Sequence, residues 1–127
     1  MAFEPMIFTD DVEATSRWYQ QLLGLKGAHG GPHYEMLMDE AGALALQLHR
    51  ADADEHGGER LPSGSVRGAG VLLYLRTDDV RGLYAKAQDM AARTEGEPAF
   101  VELAGHTEFV VRDPDGYAIA VYQRGRA

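Results

Sequence analysis

A four-letter repeat limits the folds open to this chain of 127 residues. The letters TDDV occupy residues 9–12 and again residues 77–80, each time between a short apolar run and a polar, helix-like segment. The preceding runs, AFEPMIF and GVLLYLR, have the length and composition of strands, with Pro5 tolerable only near a strand start or on an edge. An internal repeat of this kind predicts two copies of one structural module.

Each TDDV corner is predicted to start a helix. In the first copy Asp10 is expected to cap the helix, with Glu13 completing a capping box, and the second helix is expected to start at Asp78. Apolar residues then recur at spacings of three and four, and Gly24 supplies the left-handed residue that ends the first helix. The apolar stripe makes Trp18 a core or interface anchor rather than a ligand contact.

Strand-like segments follow each helix, separated by the turn sequences DEAG at 39–42 and DPDG at 113–116. The predicted fold class is therefore α+β, with two tandem βαβββ modules at 1–50 and 69–127 and a polar linker at 51–68. Neither module is long enough to bury its own sheet well. We expect the two to pack as one domain, or to exchange across a homodimer.

Composition excludes several classes of function. The chain has no Cys and a formal net charge of −8, which argues against disulfide chemistry and against a nucleic-acid surface. No apolar run is long enough for a membrane helix, and the N-terminus lacks the pattern of a signal peptide. The sequence predicts a cytoplasmic protein with no membrane or nucleic-acid partner, and its acidity favours a neutral or cationic ligand.

Two segments carry a resemblance to a known family. TDDVEATSRWYQQLLGL resembles the first helix of the vicinal oxygen chelate superfamily, and FVVRDPDGYAIAVYQ resembles its closing hairpin. That superfamily includes glyoxalase I, the bleomycin resistance proteins and the extradiol dioxygenases. The resemblance covers the whole chain and implies one curved mixed sheet with the helices on its convex side. Function does not follow from it, because this fold serves both enzymes and drug-binding proteins.

The resemblance also implies where a metal would bind, on the first and last strand of each half. Those positions are Glu4 and Gln47 in the first half, and Leu72 and Ala120 in the second. Two donors do not make a site, because a divalent ion needs three or more. Adding His49 to Glu4 and Gln47 would require a bent strand, since residues 47 and 49 lie about 6.6 Å apart. We predict no cofactor, with a divalent metal as the alternative. The other histidines are expected to be solvated: His29, His33, His56 and His106.

Strand alternation extends these positions to a predicted concave face. The predicted ligand-binding residues are Glu4, Met6, Phe8, Gln47, His49, Leu72, Tyr74, Arg76, Ala120 and Tyr122, with Ala45 and Ala118 leaving volume. Residues of opposite parity are expected to form the core under the helices: Ile7, Leu44, Leu46, Leu48, Val71, Leu73, Leu75, Ile119 and Val121. A mixture of aromatic, Met, small and polar side chains suits a pocket for a flat, largely apolar molecule.

The sequence thus favours metal-independent binding of a small, largely apolar or aromatic molecule, neutral or cationic, as in drug-sequestering proteins of the bleomycin-resistance type. Glu4 is the candidate catalytic residue or counter-charge, because a carboxylate in an apolar cup can act as a base. One alternative is an enzyme of the same superfamily, a lyase, isomerase or dioxygenase, either metal-assisted or using Glu4. Another is an interaction module whose strand edges pair with a partner protein.

Overall fold

The computed structural model of the protein describes residues 1–52 and 67–127, so most of the predicted linker lies outside the described residues. The chain divides into two compact units, the first unit (Met1–Arg67) and the second unit (Gly68–Ala127). The first contains β1 (Met6–Thr9), α1 (Val12–Leu23), β2 (Lys26–Gly27), β3 (Tyr34–Met38) and β4 (Leu44–Arg50). The second contains β5 (Leu72–Arg76), α2 (Val80–Asp89), β6 (Arg93–Val101), β7 (His106–Arg112) and β8 (Ala118–Arg124). The predicted α+β fold of two βαβββ modules is confirmed.

The two units repeat one topology. The strand order is β1-β4-β3-β2 in the first sheet and β5-β8-β7-β6 in the second. In each sheet the first strand lies parallel to the last, and the remaining pairs are antiparallel. The first strand of each module is therefore an edge strand, as the position of Pro5 before β1 allows. No helix among the described residues is long and apolar enough to cross a membrane.

Alternate residues of the strands form the core of each unit. In the first unit the large apolar strand residues of this core are Ile7, Leu37, Leu46 and Leu48, and α1 adds the apolar side chains of Val12, Tyr19 and Leu22. In the second unit they are Phe109, Val111, Ile119 and Val121, and α2 buries Val80 and Ala87. The strand residues of the other parity form what we call the open face of each sheet. The predicted core residues Ile7, Leu46, Leu48, Ile119 and Val121 are buried, Leu44, Leu73 and Leu75 are half-buried, and Val71, which precedes β5, is 46% exposed. Of the predicted open-face residues, His49 and Ala120 are buried.

The TDDV corners cap their helices with the second Asp, so the predicted caps at Asp10 and Asp78 are wrong. Asp11 accepts a hydrogen bond from the backbone N–H of Ala14 at 3.0 Å, and Asp79 accepts one from Gly82 at 2.9 Å. The N–H of each capping Asp donates to the Thr hydroxyl two residues earlier. With Asp11 as the cap, the third helical position is Ala14, which has no side-chain acceptor, so the capping box predicted for Asp10 and Glu13 does not form.

The first Asp of the repeat has a different role in the two copies. Asp10 accepts a hydrogen bond from the guanidinium of Arg67 at 2.8 Å, and the Arg67 side chain is 1% exposed. Asp78 is exposed and forms no ion pair within the part of the chain that the structure describes. The turn predictions are confirmed, because Gly24 ends α1 at φ 70° and Gly42 and Gly116 have φ of 81° and 98°.

Candidate functional site

A pocket of about 550 Å³ opens on the open face of the second unit. Tyr74 of β5, Tyr122 and Arg124 of β8 and His106 of β7 line it, together with Ala104 and Gly105 of the β6–β7 turn. The rings of Tyr74 and Tyr122 meet edge to face at 4.7 Å between centroids, and the rings of His106 and Tyr122 are also 4.7 Å apart. Three rings therefore form one aromatic wall.

Hydrogen bonds join the polar ends of this wall. Nε2 of His106 lies 2.7 Å from Oε1 of Glu108 and 3.1 Å from the hydroxyl of Tyr74. His106 is 6% exposed, whereas Tyr74 is 53% exposed. Partial burial, followed by the charges of Glu108 and Tyr122, raises the pKa of Tyr74 above its ordinary value. Tyr74 is therefore a neutral phenol at physiological pH, with its hydroxyl at the pocket.

Strand register places these residues together. The DPDG turn closes the β7–β8 hairpin so that His106 pairs with Arg124 and Glu108 with Tyr122, while β5 pairs Tyr74 with Ala120. All of these positions share one parity and so point to one side of the sheet. Gly105, at φ 67°, ends the β6–β7 turn at the mouth of the pocket, where the N–H of Gly125 donates to its carbonyl at 2.9 Å.

The open face of the first unit has a different arrangement. Nε2 of Gln47 donates to the backbone carbonyl of Glu4 at 2.9 Å, and Oε1 of Gln47 accepts a short hydrogen bond from the hydroxyl of Tyr34. His49 is 4% exposed, with Nδ1 3.0 Å from the carbonyl of Arg50. Burial, followed by the charges of Glu4 and Glu35, raises the pKa of Tyr34. This face is a closed polar cluster in which the protein supplies the hydrogen-bond partners of the Gln47 amide.

The ten predicted ligand-binding residues divide equally between the units. The first unit holds Glu4, Met6, Phe8, Gln47 and His49, and the second holds Leu72, Tyr74, Arg76, Ala120 and Tyr122. Two of these, Tyr74 and Tyr122, line the pocket, whereas Ala120 is fully buried and Leu72 is 52% exposed. Glu4 precedes β1 and is exposed, so the expected apolar cup around its carboxylate is absent from the described residues.

Sequence reasoning missed His106, Glu108 and Arg124. His106 was expected to be solvated, and this is wrong because the residue begins β7 and packs against two tyrosines. The signal was available in the DPDG turn, because extending the β8 alternation across that hairpin puts these three residues on the open face. His29 and His33 are exposed as predicted, and His56 lies outside the described residues.

Comparison with known proteins identifies the family. The sequence profile of the Glyoxalase/Bleomycin resistance protein/Dioxygenase superfamily matches residues 3–121. The chain belongs to this superfamily. No curated protein matches this superfamily member.

Solved structures of other proteins share its fold. A glyoxalase/bleomycin resistance protein/dioxygenase from Nocardioides is 17% identical with a TM-score of 0.74, over 100% of this chain and 86% of that one. A protein of unknown function from Agrobacterium tumefaciens str. C58 is 28% identical with a TM-score of 0.73, over 97% and 94%. An integron cassette protein from V. cholerae is 22% identical with a TM-score of 0.71, over 97% and 95%.

The donor set of this superfamily member does not fit a metal in either unit. Both polar atoms of the Gln47 amide are held by Glu4 and Tyr34, and the corresponding positions of the second unit carry Leu72 and Ala120, which have no donor atom. Among the described residues, no three His, Asp or Glu side chains form a group that could hold a metal ion. A metal site of three or more protein donors is therefore not built within either unit's described part.

Proposed function

We propose that this superfamily member binds a small, flat, largely apolar molecule without a metal, in the pocket of the second unit. The observation that carries the proposal is the aromatic wall formed by Tyr74, Tyr122 and His106 around a cavity of about 550 Å³. Cavities of this size suit small organic ligands, and aromatic side chains supply large contact areas at low entropic cost. A drug-sequestering role of the bleomycin-resistance type is one biological setting for such binding.

The test uses three naphthalene probes that differ in charge: the neutral 2-naphthamide, the anion 2-naphthoate and the cation 2-naphthylmethylammonium. Each probe is titrated into the wild-type protein by NMR, with the amide of Gly105 as the reporter at the pocket mouth. We expect at least one probe to bind, and Tyr122→Ala to weaken that binding about tenfold because it removes the ring that contacts both others.

The matched control is Phe100→Ala. Phe100 lies in the same unit but under the guanidinium of Arg126, 3.9 Å from its ring centroid, and does not line the pocket. This variant should bind as the wild type does. Failure of all three probes to bind at millimolar concentration, or equal losses in the two variants, would reject the proposed pocket.

Metal independence has its own measurement. Elemental analysis of protein purified without a chelator, followed by probe titrations with and without EDTA, should give no stoichiometric metal and unchanged affinity. About one metal per chain together with EDTA-sensitive binding would refute this part of the proposal.

One observation favours the rival function, an enzyme of the same superfamily. The His106 ring and the Glu108 carboxylate form a hydrogen-bonded pair of the kind used in general acid–base catalysis. Glu4, the candidate base predicted from the sequence, is exposed. A turnover of superfamily substrates that His106→Gln abolishes, while probe binding persists, would favour the enzyme over the binding protein.

Self-association completes the proposal. β5 is an edge strand, and its exposed apolar side chain Leu72 lies beside Val71, which is also exposed. Edge strands with exposed apolar side chains readily pair with another copy. We expect a homodimer in sedimentation equilibrium that Leu72→Lys weakens, and a wild-type monomer at all concentrations would contradict it.

A further inference from the structure

The pocket of the second unit carries an unpaired positive charge. Arg124 lines the cavity and is exposed, and it forms no ion pair among the described residues. Arg76 lies on the same face of the sheet, in register with Tyr122. Two arginines therefore neighbour the central tyrosine in the sheet, Arg124 on the same strand and Arg76 on the neighbouring strand, and of these Arg124 lines the pocket.

The carboxylate nearest the aromatic wall is already engaged. Glu108 holds the imidazole of His106 through a contact of 2.7 Å. Across the hairpin it pairs with Tyr122 rather than with Arg124, so it stands one step further along the sheet than the pocket arginine. Within the described residues, the free charge at the mouth of the cavity is thus positive, although the whole chain has a net charge of −8.

The Tyr74 hydroxyl is a second hydrogen-bond donor at the pocket, as the positions of the hydrogens show. An ionised Glu108 accepts the hydrogen on Nε2 of His106, because a carboxylate has no hydrogen to give. The same nitrogen then has no lone pair for the Tyr74 hydroxyl, which lies 3.1 Å away. The hydroxyl hydrogen of Tyr74 must therefore point away from His106, and Tyr74 is a half-exposed residue that lines the pocket.

From these contacts we infer that the ligand is a flat aromatic anion, such as an aromatic carboxylate, rather than a cation. Its ring packs against Tyr122, and its acidic group accepts hydrogen bonds from Arg124 and Tyr74. Arginine is suited to this task because its planar donors match a carboxylate in two-pronged geometry. The inference rests on the proposed binding function and names the ligand class for the same pocket.

The experiment compares 2-naphthoate with its neutral amide, 2-naphthamide, by isothermal titration calorimetry. The wild type should bind the anion about fivefold more tightly, which is the scale of a solvent-exposed charged pair. Arg124→Gln should reduce this preference to less than about twofold, with the larger loss of affinity falling on the anion rather than on the amide.

Arg126→Gln is the matched control, since it removes the same charge from the same end of the chain. Arg126 pairs with Glu102 at 3.1 Å and covers Phe100, outside the pocket. This variant should keep the wild-type preference.

Each outcome decides a separate point. Equal or tighter binding of the amide by the wild type would overturn the anion assignment and leave the binding function standing. An equal loss of preference in both arginine variants would also overturn it, because the effect would then come from net charge. Binding of neither probe would overturn the assignment together with the proposed function.

Discussion

The open faces of the two units differ at one equivalent position. Gln47 of β4 pairs with Met6, and Ala120 of β8 pairs with Tyr74, so the two residues occupy the same place in their modules. Gln47 bonds to Glu4 and Tyr34 and closes its face with contacts made inside the protein. Ala120 has no polar atom to close the second face.

The hydroxyl groups of Tyr34 and Tyr74, on the open faces of the two units, consequently lie in different surroundings. The hydroxyl of Tyr34 donates to the side-chain amide of Gln47, whereas that of Tyr74 lies 3.1 Å from Nε2 of His106 on a residue that lines an open cavity. A repeated fold therefore does not repeat its chemistry, because Gln47 supplies an amide to its open face whereas Ala120, at the equivalent position, supplies no polar side-chain atom. We expect substitutions of polar residues on the open face to lower stability in the first unit and to lower ligand affinity in the second.

The largest loss of stability is expected on substitution of Glu35, which is 5% exposed in the first unit. Its Oε1 accepts hydrogen bonds from the backbone N–H groups of Ala28, His29, Gly30 and Met36, at 3.2, 2.7, 2.9 and 2.9 Å. Glu35→Ala leaves these donors without their acceptor and should lower the free energy of unfolding by about 3 kcal/mol. Urea unfolding followed by Trp18 fluorescence measures this, because the chain's one Trp lies in the first unit.

Glu40→Ala is the control for this change, since Glu40 is an exposed carboxylate of the same unit. It should alter stability by less than about 0.5 kcal/mol. Equal losses in both variants would mean that the first unit does not depend on the Glu35 contacts.

The same carboxylate predicts a pH dependence. Burial raises the pKa of Glu35, but the four N–H donors outweigh burial and hold the pKa below its ordinary value of 4.5. The unfolded chain therefore binds this proton first, so the stabilisation is complete above about pH 4.5 and is lost as pH falls through the lower, folded pKa. Urea midpoints between pH 7 and pH 3 should fall more steeply for the wild type than for Glu35→Gln. Parallel curves would show that Glu35 does not contribute.

A smaller loss is expected at Gln47. Gln47→Ala removes the bonds to Tyr34 and Glu4 and should lower the free energy of unfolding by about 1.5 kcal/mol, because the side chain is only half-buried. Gln21→Ala, at an exposed position of α1, is the control and should stay within about 0.5 kcal/mol of wild type. An unchanged free energy of unfolding in Gln47→Ala would mean that the two open faces do not differ in how far their polar contacts stabilise the protein.

The smallest effect is expected on ligand affinity when the hydroxyl of Tyr74 is removed. Tyr74→Phe keeps the ring but removes the O–H, and should weaken 2-naphthoate binding about threefold with little change in stability. Tyr34→Phe makes the same chemical change in the first unit and should leave the affinity unchanged. Calorimetric titration of both variants measures the difference, and a loss shared equally by both would place the probe elsewhere.

Local features of this fold could be predicted from the sequence because local chemistry determines them. The end of α1 at Gly24 and the turns at Gly42 and Gly116 follow from left-handed backbone angles that favour glycine. The helix caps were misplaced by one residue, since Asp10 and Asp11 are both good capping residues. In the structure the Thr9 hydroxyl accepts the N–H of Asp11, the residue that caps α1.

The pocket could not be predicted from the sequence, because it depends on contacts between side chains of different strands. His106 and Arg124 are far apart in the chain and meet only through the register of the β7–β8 hairpin. The side chain of Tyr74 then reaches His106 from β5, a contact that depends on rotamers and not on sequence spacing. The expectation that His106 is solvated was wrong because its burial comes from these partners. Glu4 precedes β1 and is exposed, and its role as a base stays a prediction.

The ion pair between Asp10 and Arg67 gives the repeated corner two different mutational tolerances. In each TDDV copy the Thr and the second Asp hold the helix start, so substitutions there should be costly at both places. The first Asp is committed to a buried arginine in one copy and stands exposed in the other. In a deep mutational scan, position 10 should accept few substitutions and position 78 many, although the two are spelled with the same letters.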